Sequence, residues 1–326
     1  MSRLNELRMI SRVAQMYYSE NLRQTTIAAH LRISQASVSR MLKRAQEEEI
    51  VRTTVVPPLG TFVDLEAQLR STFGLAEAII VECSDDHDGE IMSRIGEAAA
   101  HLLEVTLQTG DIIGVSSWSE TILKMVNNIH PMKNGKARYV VQTMGGIGDP
   151  TVQTHANQLT TRLARLTGAE AHLLNTPGVA QSREAKLVLV GDNFVRETIN
   201  LFDKISLAIV GIGSIEPSRM LTRSGNIFSS RELLEVKEAG GVGEISLRFF
   251  NSDGVIVKTS LDERVIGMTL KEHSQVDRVI ALAGGKYKTD AIRAALKTGI
   301  IDLLITDKFT AGRLVETSLS KLASQD

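Results

Sequence analysis

From residue 77 onwards, short apolar segments alternate with amphipathic helical segments, and this alternation constrains the fold more than any other feature of the chain. Seven segments are apolar enough to form buried strands, namely residues 78–83, 111–116, 138–143, 170–174, 206–211, 278–283 and 302–306. Most of the segments between them carry apolar residues at helical spacing. Such alternation predicts an α/β fold, in which helices cover both faces of an open, mainly parallel sheet.

Residues 244–268 depart from this alternation. The segment contains two or three strand-like runs around residues 251–254, whose sequence Asn-Ser-Asp-Gly is typical of a tight turn. We therefore expect a small β-hairpin to be inserted between two of the helix–strand units.

The first 56 residues have a different pattern. Apolar residues at helical spacing predict a helix over residues 4–18, and two shorter helices follow it over residues 25–31 and 35–49. Residues 50–56 then form a strand-like run, which ends at a pair of prolines. Three helices followed by a strand predict a small domain of their own.

Pro57 and Pro58 indicate the domain boundary, because proline cannot continue a strand through the middle of a sheet. We predict one domain over residues 1–56 and a second over residues 57–326. Beyond the boundary, four apolar residues at helical spacing predict a linker helix, which is also suited to pairing with its copy in another subunit: Phe62, Leu65, Leu69 and Phe73.

The segment 24–44, QTTIAAHLRISQASVSRMLKR, carries the strongest functional signal. Ala28 and Ala29 suit a close crossing of two helices, and the Ser34 hydroxyl is placed to cap the second helix. Five apolar residues supply the contacts between the helices: Ile27, Leu31, Ile33, Val38 and Leu42. The second helix exposes side chains that can read base edges or hold phosphates: Gln35, Ser37, Ser39, Arg40, Lys43 and Arg44.

We therefore predict a helix-turn-helix that binds double-stranded DNA, followed by a wing-like strand. The plainer alternative is a helical hairpin with a solvated, charged face. Arg32 stands where the turn favours glycine, so we expect its left-handed conformation to cost about 1 kcal/mol.

The distribution of charge agrees with this division of the chain. Residues 1–56 carry nine basic and five acidic residues, whereas the rest of the chain has a net charge of −5. A small basic end on an acidic body indicates that only the end meets nucleic acid. Aromatic residues make up only 4% of the chain, which argues against an RNA-binding platform built on base stacking.

Three further features exclude other classes of protein. Cys83 is the only cysteine, which excludes a disulfide framework and a cysteine zinc site and leads us to expect a cytoplasmic protein. No segment approaches about 20 continuous apolar residues, so we expect no membrane span and no membrane partner. The seven histidines show no metal-ligand spacing, so we expect neither a metal nor another cofactor.

Residues 114–121 form the first of three candidate ligand segments that follow predicted strands. A strand–loop–helix corner directs free N–H groups and the helix dipole to one point, which suits a phosphate. Ser117, Ser119 and Thr121 add hydroxyl donors, whereas Glu120 counts against an anion unless its side chain turns away. The alternative is a helix that is merely capped.

The other two segments are residues 142–149 and 211–214. Gln142 can bond to ligand hydroxyls, and the glycines let the backbone approach a ligand closely: Gly145, Gly146 and Gly213. Glycine turns that simply end strands are an equally good explanation. Lys288 sits in the first turn of a predicted helix, where a cation is unfavourable, so a ligand anion would explain it; a solvated lysine is the alternative.

Taken in order, several segments resemble the SorC/DeoR-type sugar-binding transcriptional regulators. They are IAAHLRISQASVSRMLKRA, GVSSWSET, VVQTMGGIGD, IVGIGS, FFNSDG, IALAGGKYKTDAIRAAL and LLITDKFTA, and they span nearly the whole chain. The resemblance implies a winged helix-turn-helix and a Rossmann-like effector domain similar to glucosamine-6-phosphate deaminase and ribose-5-phosphate isomerase. It also implies a phosphorylated sugar as inducer and a homo-oligomer, usually a tetramer, that binds operator DNA.

The resemblance assigns roles to individual positions. It places the phosphate loop at Ser117, Ser119 and Thr121, and a second ligand loop at Gly145 and Gly146. It implies that acidic Asp253 meets the sugar hydroxyls and that basic Arg264 and Lys288 lie near the ligand. The sequence Trp118-Ser119-Glu120 departs from the Trp-Gly of many members.

We therefore expect a repressor of a carbohydrate catabolic operon that a phosphorylated sugar releases from DNA, with activation as the alternative sign. The other functional class is a sugar-phosphate isomerase or deaminase with an accessory DNA-binding domain. Asp149, Asp253 and His155 are candidates for acid–base chemistry, but the sequence shows no convincing pair. We accordingly predict no catalytic residues.

Overall fold

The computed structural model describes residues 3–51, 58, 60–132, 136–146, 150–216 and 229–322, with side chains described except at 150–156 and 317–322. The chain divides into two compact units, residues 1–58 and residues 59–326. Among the described residues, none of the helices combines the length and the apolar composition that crossing a membrane requires.

The described part of the first unit contains three α-helices, and a π-helical turn over Gln15–Ser19 continues the first of them. The helices are α1 (Arg3–Ala14), α2 (Gln24–Leu31) and α3 (Gln35–Glu47). The apolar residues that the sequence assigned to helix contacts pack together with residues of α1 and the π-helical turn. Ile27, Val38 and Leu42 are buried, with Leu31 and Ile33 against them.

A short turn joins α2 to α3. Arg32 has a φ of 54°, the left-handed conformation expected of it, and its N–H closes the end of α2 by donating to the Ala28 and Ala29 carbonyls. Ser34 caps α3, because its hydroxyl accepts a hydrogen bond of 3.1 Å from the N–H of Ser37. The sequence therefore predicted both ends of this connection.

Two details of the first unit differ from the sequence-based expectation or lie beyond it. Ala28 is buried but Ala29 is exposed, so only the first alanine serves the close crossing of the helices. The strand predicted over residues 50–56 lies almost entirely outside the described residues.

The described residues of the second unit form ten strands in two sheets. The strands are β1 (Glu77–Val81), β2 (Ile112–Val115), β3 (Tyr139–Gln142), β4 (Glu170–His172), β5 (Leu207–Gly211), β6 (Gly213–Ser214), β7 (Gly241–Ile245), β8 (Arg248–Asn251), β9 (Arg278–Leu282) and β10 (Leu303–Asp307). The main sheet has the order β1-β10-β9-β5-β2-β3-β4, and all its neighbours are parallel. All seven predicted strands are present, which confirms the α/β class.

Helices connect the strands and cover the main sheet. Those in the described part are α4 (Val63–Phe73), α5 (Asp88–Thr106), α6 (Glu120–Asn128), α7 (Pro150–Thr167), α8 (Arg183–Gly191), α9 (Asn193–Ile199), α10 (Ser230–Glu238), α11 (Leu270–His273), α12 (Thr289–Lys297) and α13 (Lys308–Leu322). Successive strand residues point to opposite faces, so Leu207 and Ile209 pack with α5, α6 and α7. Ala208 and Val210 pack on the other face with α4, α12 and α13.

The apolar face of α4 is used within its own unit. Leu69 is fully buried in the core, and Phe62, Leu65 and Phe73 pack against that core. The helical spacing of these four residues therefore predicted α4 correctly. Phe62, Leu65 and Phe73 are only half-buried, so pairing of this helix with a second copy stays a prediction.

Strands β6, β7 and β8 form the small antiparallel sheet, and the expected region contains two reversals of the chain rather than one. The turn at residues 251–254 is present as predicted: the Gly254 N–H donates to the Asn251 carbonyl over 3.0 Å, and Phe250 pairs antiparallel with Ile256. The chain also reverses at Ser246 and Leu247, whose φ values of 53° and 63° are both left-handed. Hairpin turns of this kind usually take Asn or Gly, so the sequence carried no signal for this earlier turn.

Candidate functional site

A cavity of about 490 Å³ opens at the carboxyl ends of the parallel strands in the second unit. Its walls come from the segments after β1, β2, β3, β5 and β9, and from the turn between β7 and β8. Neighbouring strands β2 and β5 continue in opposite directions across the sheet, to β3 and to β9. Ligands of open α/β sheets bind outside the strand ends at such a reversal. We call this space the site cavity.

The corner between β2 and α6 forms one wall of the site cavity. Ser119 begins α6, since its hydroxyl accepts a hydrogen bond of 3.3 Å from the N–H of Ile122. Ser119, Glu120 and Thr121 all line the cavity. Gly211 faces this corner, because a Cβ at residue 211 would lie 2.9 Å from the Ser119 hydroxyl oxygen. A helix N-terminus and two hydroxyl-bearing residues therefore meet at one point of the wall.

Trp118 connects this corner to the loop after β3. Its side chain is 5% exposed, and its indole N–H donates a hydrogen bond of 2.8 Å to the carbonyl of Gly145. Gly145 in turn packs so closely on the backbone of Pro177 and Gly178 that no larger residue fits. Met144 is the residue of this loop that lines the cavity. Trp118 thus fixes two of the predicted ligand loops to each other.

Lys288 supplies the cation of the site cavity. It directly precedes α12 and follows the glycine pair 284–285, in which Gly285 has a φ of 100°. Within the described part of the chain, its ammonium has no hydrogen-bond or ion-pair partner. Burial lowers the pKa of Lys288, and the carboxylates of Glu244, Asp88 and Glu120 oppose that shift. An unpaired cation at a helix N-terminus is unfavourable, so an anion at this place would stabilise it.

Glu244 lies across the site cavity on β7. Its carboxylate accepts a hydrogen bond of 2.6 Å from the N–H of Leu247, which supports the left-handed turn that follows. Burial raises the pKa of Glu244, while this hydrogen bond and the charge of Lys288 act in the opposite direction. Gly213 packs directly against the carboxylate, so any side chain at that position would displace it.

The charges of the lining residues restrict the ligand. Among the described lining residues, four carboxylates stand against one lysine: Asp88, Glu120, Glu216 and Glu244. The Nδ1 of His87, which also lines the cavity, accepts a hydrogen bond of 3.2 Å from the N–H of Gly89. Carboxylates accept hydrogen bonds from hydroxyl groups and repel anions. The wall therefore suits a polyhydroxylated molecule whose anionic group is confined to the region of Lys288 and the two helix N-termini.

The first unit presents a second candidate surface, the outer face of α3. Gln35, Ser39, Arg40 and Lys43 are exposed. Ser37 is half-buried and bonds to Ser34, with 2.8 Å between the two hydroxyl oxygens. Arg44 is also half-buried, and its guanidinium pairs with the carboxylates of Glu6 and Glu48. Exposed polar and basic side chains on one helix are what base and phosphate contacts require.

Comparison with known proteins identifies the family. The Sugar-bind family model, described as "Putative sugar-binding domain", matches residues 57–316. The deoxyribonucleoside regulator of Bacillus subtilis is 30% identical over 302 residues, which cover 93% of this chain and 95% of that protein. The chain belongs to the SorC/DeoR-type family of sugar-binding transcriptional regulators.

Solved structures of this family extend the likeness to three dimensions. The full-length sorbitol operon regulator SorC from Klebsiella pneumoniae has a TM-score of 0.72 at 28% identity, covering 95% of this chain and 98% of that one. The sugar-binding domain of the regulator DeoR from Pseudomonas syringae pv. tomato has a TM-score of 0.63 at 38% identity, covering 78% of this chain and 99% of that one. These relatives are transcriptional regulators, and their three names specify a deoxyribonucleoside, sorbitol and a sugar.

Ten residues were predicted to bind the effector. Four of them line the site cavity: Ser119, Thr121, Gly213 and Lys288. Four others form a buried layer that does not line it: Ser117, Gln142, Gly145 and Gly146. Ser117 is fully buried, with its hydroxyl oxygen 3.2 Å from that of Thr160. Gln142 is also fully buried, accepts a hydrogen bond of 3.2 Å from the N–H of Leu174, and packs against Gly146. Gly145 belongs to this layer as well, through Trp118.

The family resemblance implied that Asp253 and Arg264 lie at the ligand. In the structure, both make their contacts away from the site cavity. Asp253 is in an exposed turn, where it pairs with the ammonium of Lys297 over 3.4 Å. Arg264 pairs with Glu232 and donates a hydrogen bond of 2.7 Å to the carbonyl of Ala180. Asp149 and the side chain of His155, the acid–base candidates, lie outside the described residues.

The sequence-based prediction did not include three carboxylates of the cavity wall, those of Asp88, Glu216 and Glu244. Asp88 follows β1 in the polar run 84–90, and a polar run after a predicted strand was the only available signal. Glu244 is on a strand, and the following Ser246 and Leu247 carry no turn signal. The predicted turn at residues 251–254 is present, but the earlier turn at Ser246 and Leu247 was not predicted, so residues 244–247 were not considered.

Proposed function

We propose that this chain is a transcriptional repressor whose affinity for operator DNA falls when a phosphorylated sugar binds in the site cavity. Residues 1–56 act as a winged helix-turn-helix and residues 57–326 as the effector-binding and oligomerisation domain. One observation supports the proposal most strongly: a partly buried lysine, without a partner among the described residues, lies among hydroxyl groups and carboxylates at the strand ends of a regulator family member.

In this proposal the phosphate lies between Lys288 and the corner at Ser119 and Thr121. The ammonium and the N-termini of α6 and α12 then face the anion. The anion compensates for the unfavourable interaction between the lysine cation and the N-terminus of α12. The sugar hydroxyls donate to the carboxylates of Glu244, Asp88 and Glu120. The same carboxylates disfavour ligands that carry a second anionic group.

The DNA contacts are assigned to α3. Arg40 and Gln35 read base edges in the major groove, and Ser39 and Lys43 hold phosphates. Ser37 and Arg44 complete the set, and Arg44 exchanges Glu6 for the DNA backbone when it binds. A homo-oligomer, which we expect to be a tetramer in the cytoplasm, provides two such helices at the spacing of an operator.

Effector binding is linked to DNA binding through the arrangement of subunits. A ligand shifts an equilibrium only by its difference in affinity for the two states. The sugar phosphate therefore favours a subunit arrangement in which the recognition helices no longer match the operator spacing. Repression follows when this operator overlaps a promoter, and release of DNA then induces the operon.

A thermal-shift screen of matched pairs tests the effector class. Each sugar, such as D-ribose or D-glucose, is compared with its phosphate ester at equal concentration. A ligand present at 100 times its Kd stabilises the folded state by about 2.7 kcal/mol, which a melting curve resolves. We expect a phosphate ester to raise Tm well above its parent sugar. Equal shifts for both members of every pair would contradict a phosphate in the cavity.

One observation favours an enzyme as a second candidate. Burial shifts the pKa of Glu244 upward and that of Lys288 downward, so both shifts favour the neutral form, and perturbed groups that share a cavity are typical of catalytic sites. NMR of the ester found in the screen, incubated with the chain for hours, separates the two functions. A repressor returns the ester unchanged, whereas conversion abolished by Glu244→Gln would establish catalysis.

A further inference from the structure

The guanidinium of Arg313, on α13, holds together segments that are far apart in the chain. It forms a two-pronged ion pair with Asp86, with Nη1–Oδ2 and Nη2–Oδ1 distances of 2.7 and 3.4 Å. Its Nε donates to Oγ1 of Thr289 over 3.2 Å, and Nη2 donates to Oγ1 of Thr310 over the same distance. The planar fork of five N–H donors can meet all three partners at once, whereas a lysine ammonium cannot reproduce that geometry.

Two of these partners are chain neighbours of residues in the wall of the site cavity. Asp86 precedes His87 and Asp88, and Thr289 follows Lys288. Arg313 itself does not line the cavity. It therefore connects, from behind, the segment that starts α5 with the segment that starts α12.

Asp307, at the end of β10, also anchors the segment that starts α12. Its fully buried carboxylate accepts hydrogen bonds of 3.1 Å from the N–H of Gly285 and of 2.6 Å from the hydroxyl of Thr310. Gly285 lies so close to the first segment that a Cβ there would be 2.8 Å from Oδ1 of Asp88. Because Thr310 bonds to both Asp307 and Arg313, the two anchors form one connected network.

We propose that Arg313 is a positioning residue for the effector, which sets the segment 86–88 against the segment 284–288 so that Lys288 reaches the bound anion. The inference rests on the proposed function, namely that the site cavity binds a phosphorylated sugar. Arg313 makes no contact with that ligand. It acts by fixing the separation between Lys288 and Asp88, which a flexible pair of loops would not maintain.

Calorimetric titration of the full chain with inorganic phosphate, at fixed ionic strength, tests this role. We expect Arg313→Gln to weaken phosphate binding about tenfold, and Arg313→Lys to weaken it less, because lysine keeps the charge but not the fork. Asp86→Asn should also weaken binding, and the double variant Asp86→Asn/Arg313→Gln should be no worse than Arg313→Gln alone. Arg70→Gln is the matched control, since Arg70 pairs with Glu77 at the amino end of β1.

Asp86→Asn separates positioning from long-range charge. Removing a carboxylate near the cavity should strengthen phosphate binding if only charge matters, whereas loss of positioning weakens it. Phosphate bound by Asp86→Asn as tightly as by the unaltered chain, or more tightly, would overturn the positioning role and leave the proposed function intact. Asp86 is in an exposed segment, so this variant decides the matter even if Arg313→Gln fails to fold.

A different set of results would contradict the proposed function. Phosphate binding by the unaltered chain should be lost in Lys288→Met. If the unaltered chain binds no phosphate, or if Lys288→Met binds it equally well, the anion site is wrong and the positioning role fails with it. The pattern across the variants therefore shows which of the two statements is at fault.

Discussion

Replacing Lys288 with methionine should move stability and effector affinity in opposite directions. The ammonium is partly buried, has no partner among the described residues and precedes a helix N-terminus, so the folded apo chain gains little from it. Methionine has a similar length and fills the same space without a charge. We therefore expect the Tm of the apo variant to equal or exceed that of the unaltered chain.

The expected loss of affinity follows from the contacts that the ammonium would make. Hydrogen bonds to charged groups contribute about 1.5–3 kcal/mol each. Loss of one such bond to the phosphate corresponds to roughly a 10- to 150-fold rise in Kd. The nearby carboxylates of Asp88, Glu120 and Glu244 then oppose the anion without compensation, which places the expected effect toward the larger value.

Titration calorimetry and thermal melting of the same preparations measure both quantities. The effector is the phosphate ester found in the thermal-shift screen. Lys286→Met is the matched control, because Lys286 is two residues away, is exposed and does not line the cavity. A Tm several degrees lower for Lys288→Met, with unchanged affinity, would refute the reasoning and make Lys288 a structural residue.

Three further predictions concern other parts of the chain. Arg40→Ala should cost roughly 1–3 kcal/mol of operator binding by fluorescence anisotropy at fixed salt, and unchanged specific binding would remove Arg40 from the reading set. Arg32→Gly should stabilise the first unit by up to about 1 kcal/mol in a melting experiment, because the exposed Arg32 has a φ of 54°; a lower Tm would contradict this account of the turn. Burial lowers the pKa of His273, so the unfolded chain binds the proton more readily, and stability should decline as pH falls below about 6.5. His273→Gln should show a shallower decline between pH 8 and pH 5, and identical pH profiles would exclude His273 as the cause.

The sheet was predictable from the sequence because its strands are buried on both faces. Continuous apolar runs such as 206–211 and 278–283 mark such strands, and parallel strands bring the loops at their carboxyl ends together. Ser119, Thr121, Gly213 and Lys288 could therefore be assigned to one site from positions far apart in the chain. The cap at Ser34 was predictable for a similar reason, since it depends only on neighbouring residues.

The acidic half of the site was not predictable in this way. Its placement depends on where a hairpin turns, and the chain turns at Ser246 and Leu247 in conformations that their side chains do not favour. A local side-chain contact holds the turn, since the N–H of Leu247 donates to the carboxylate of Glu244 three residues earlier. Asp253 lies away from the cavity because the turn that carries it, although predicted, packs on the end of α12.

The central claim is that a phosphorylated sugar in the site cavity controls DNA binding by α3. Fluorescence anisotropy of labelled operator DNA with the full chain, titrated with the phosphate ester and separately with its parent sugar, measures this linkage directly. The account predicts that the ester releases the DNA, that the parent sugar at equal concentration does not, and that Lys288→Met stays bound in the presence of the ester. Equal release by the parent sugar, or operator affinity unchanged by saturating ester, would contradict it.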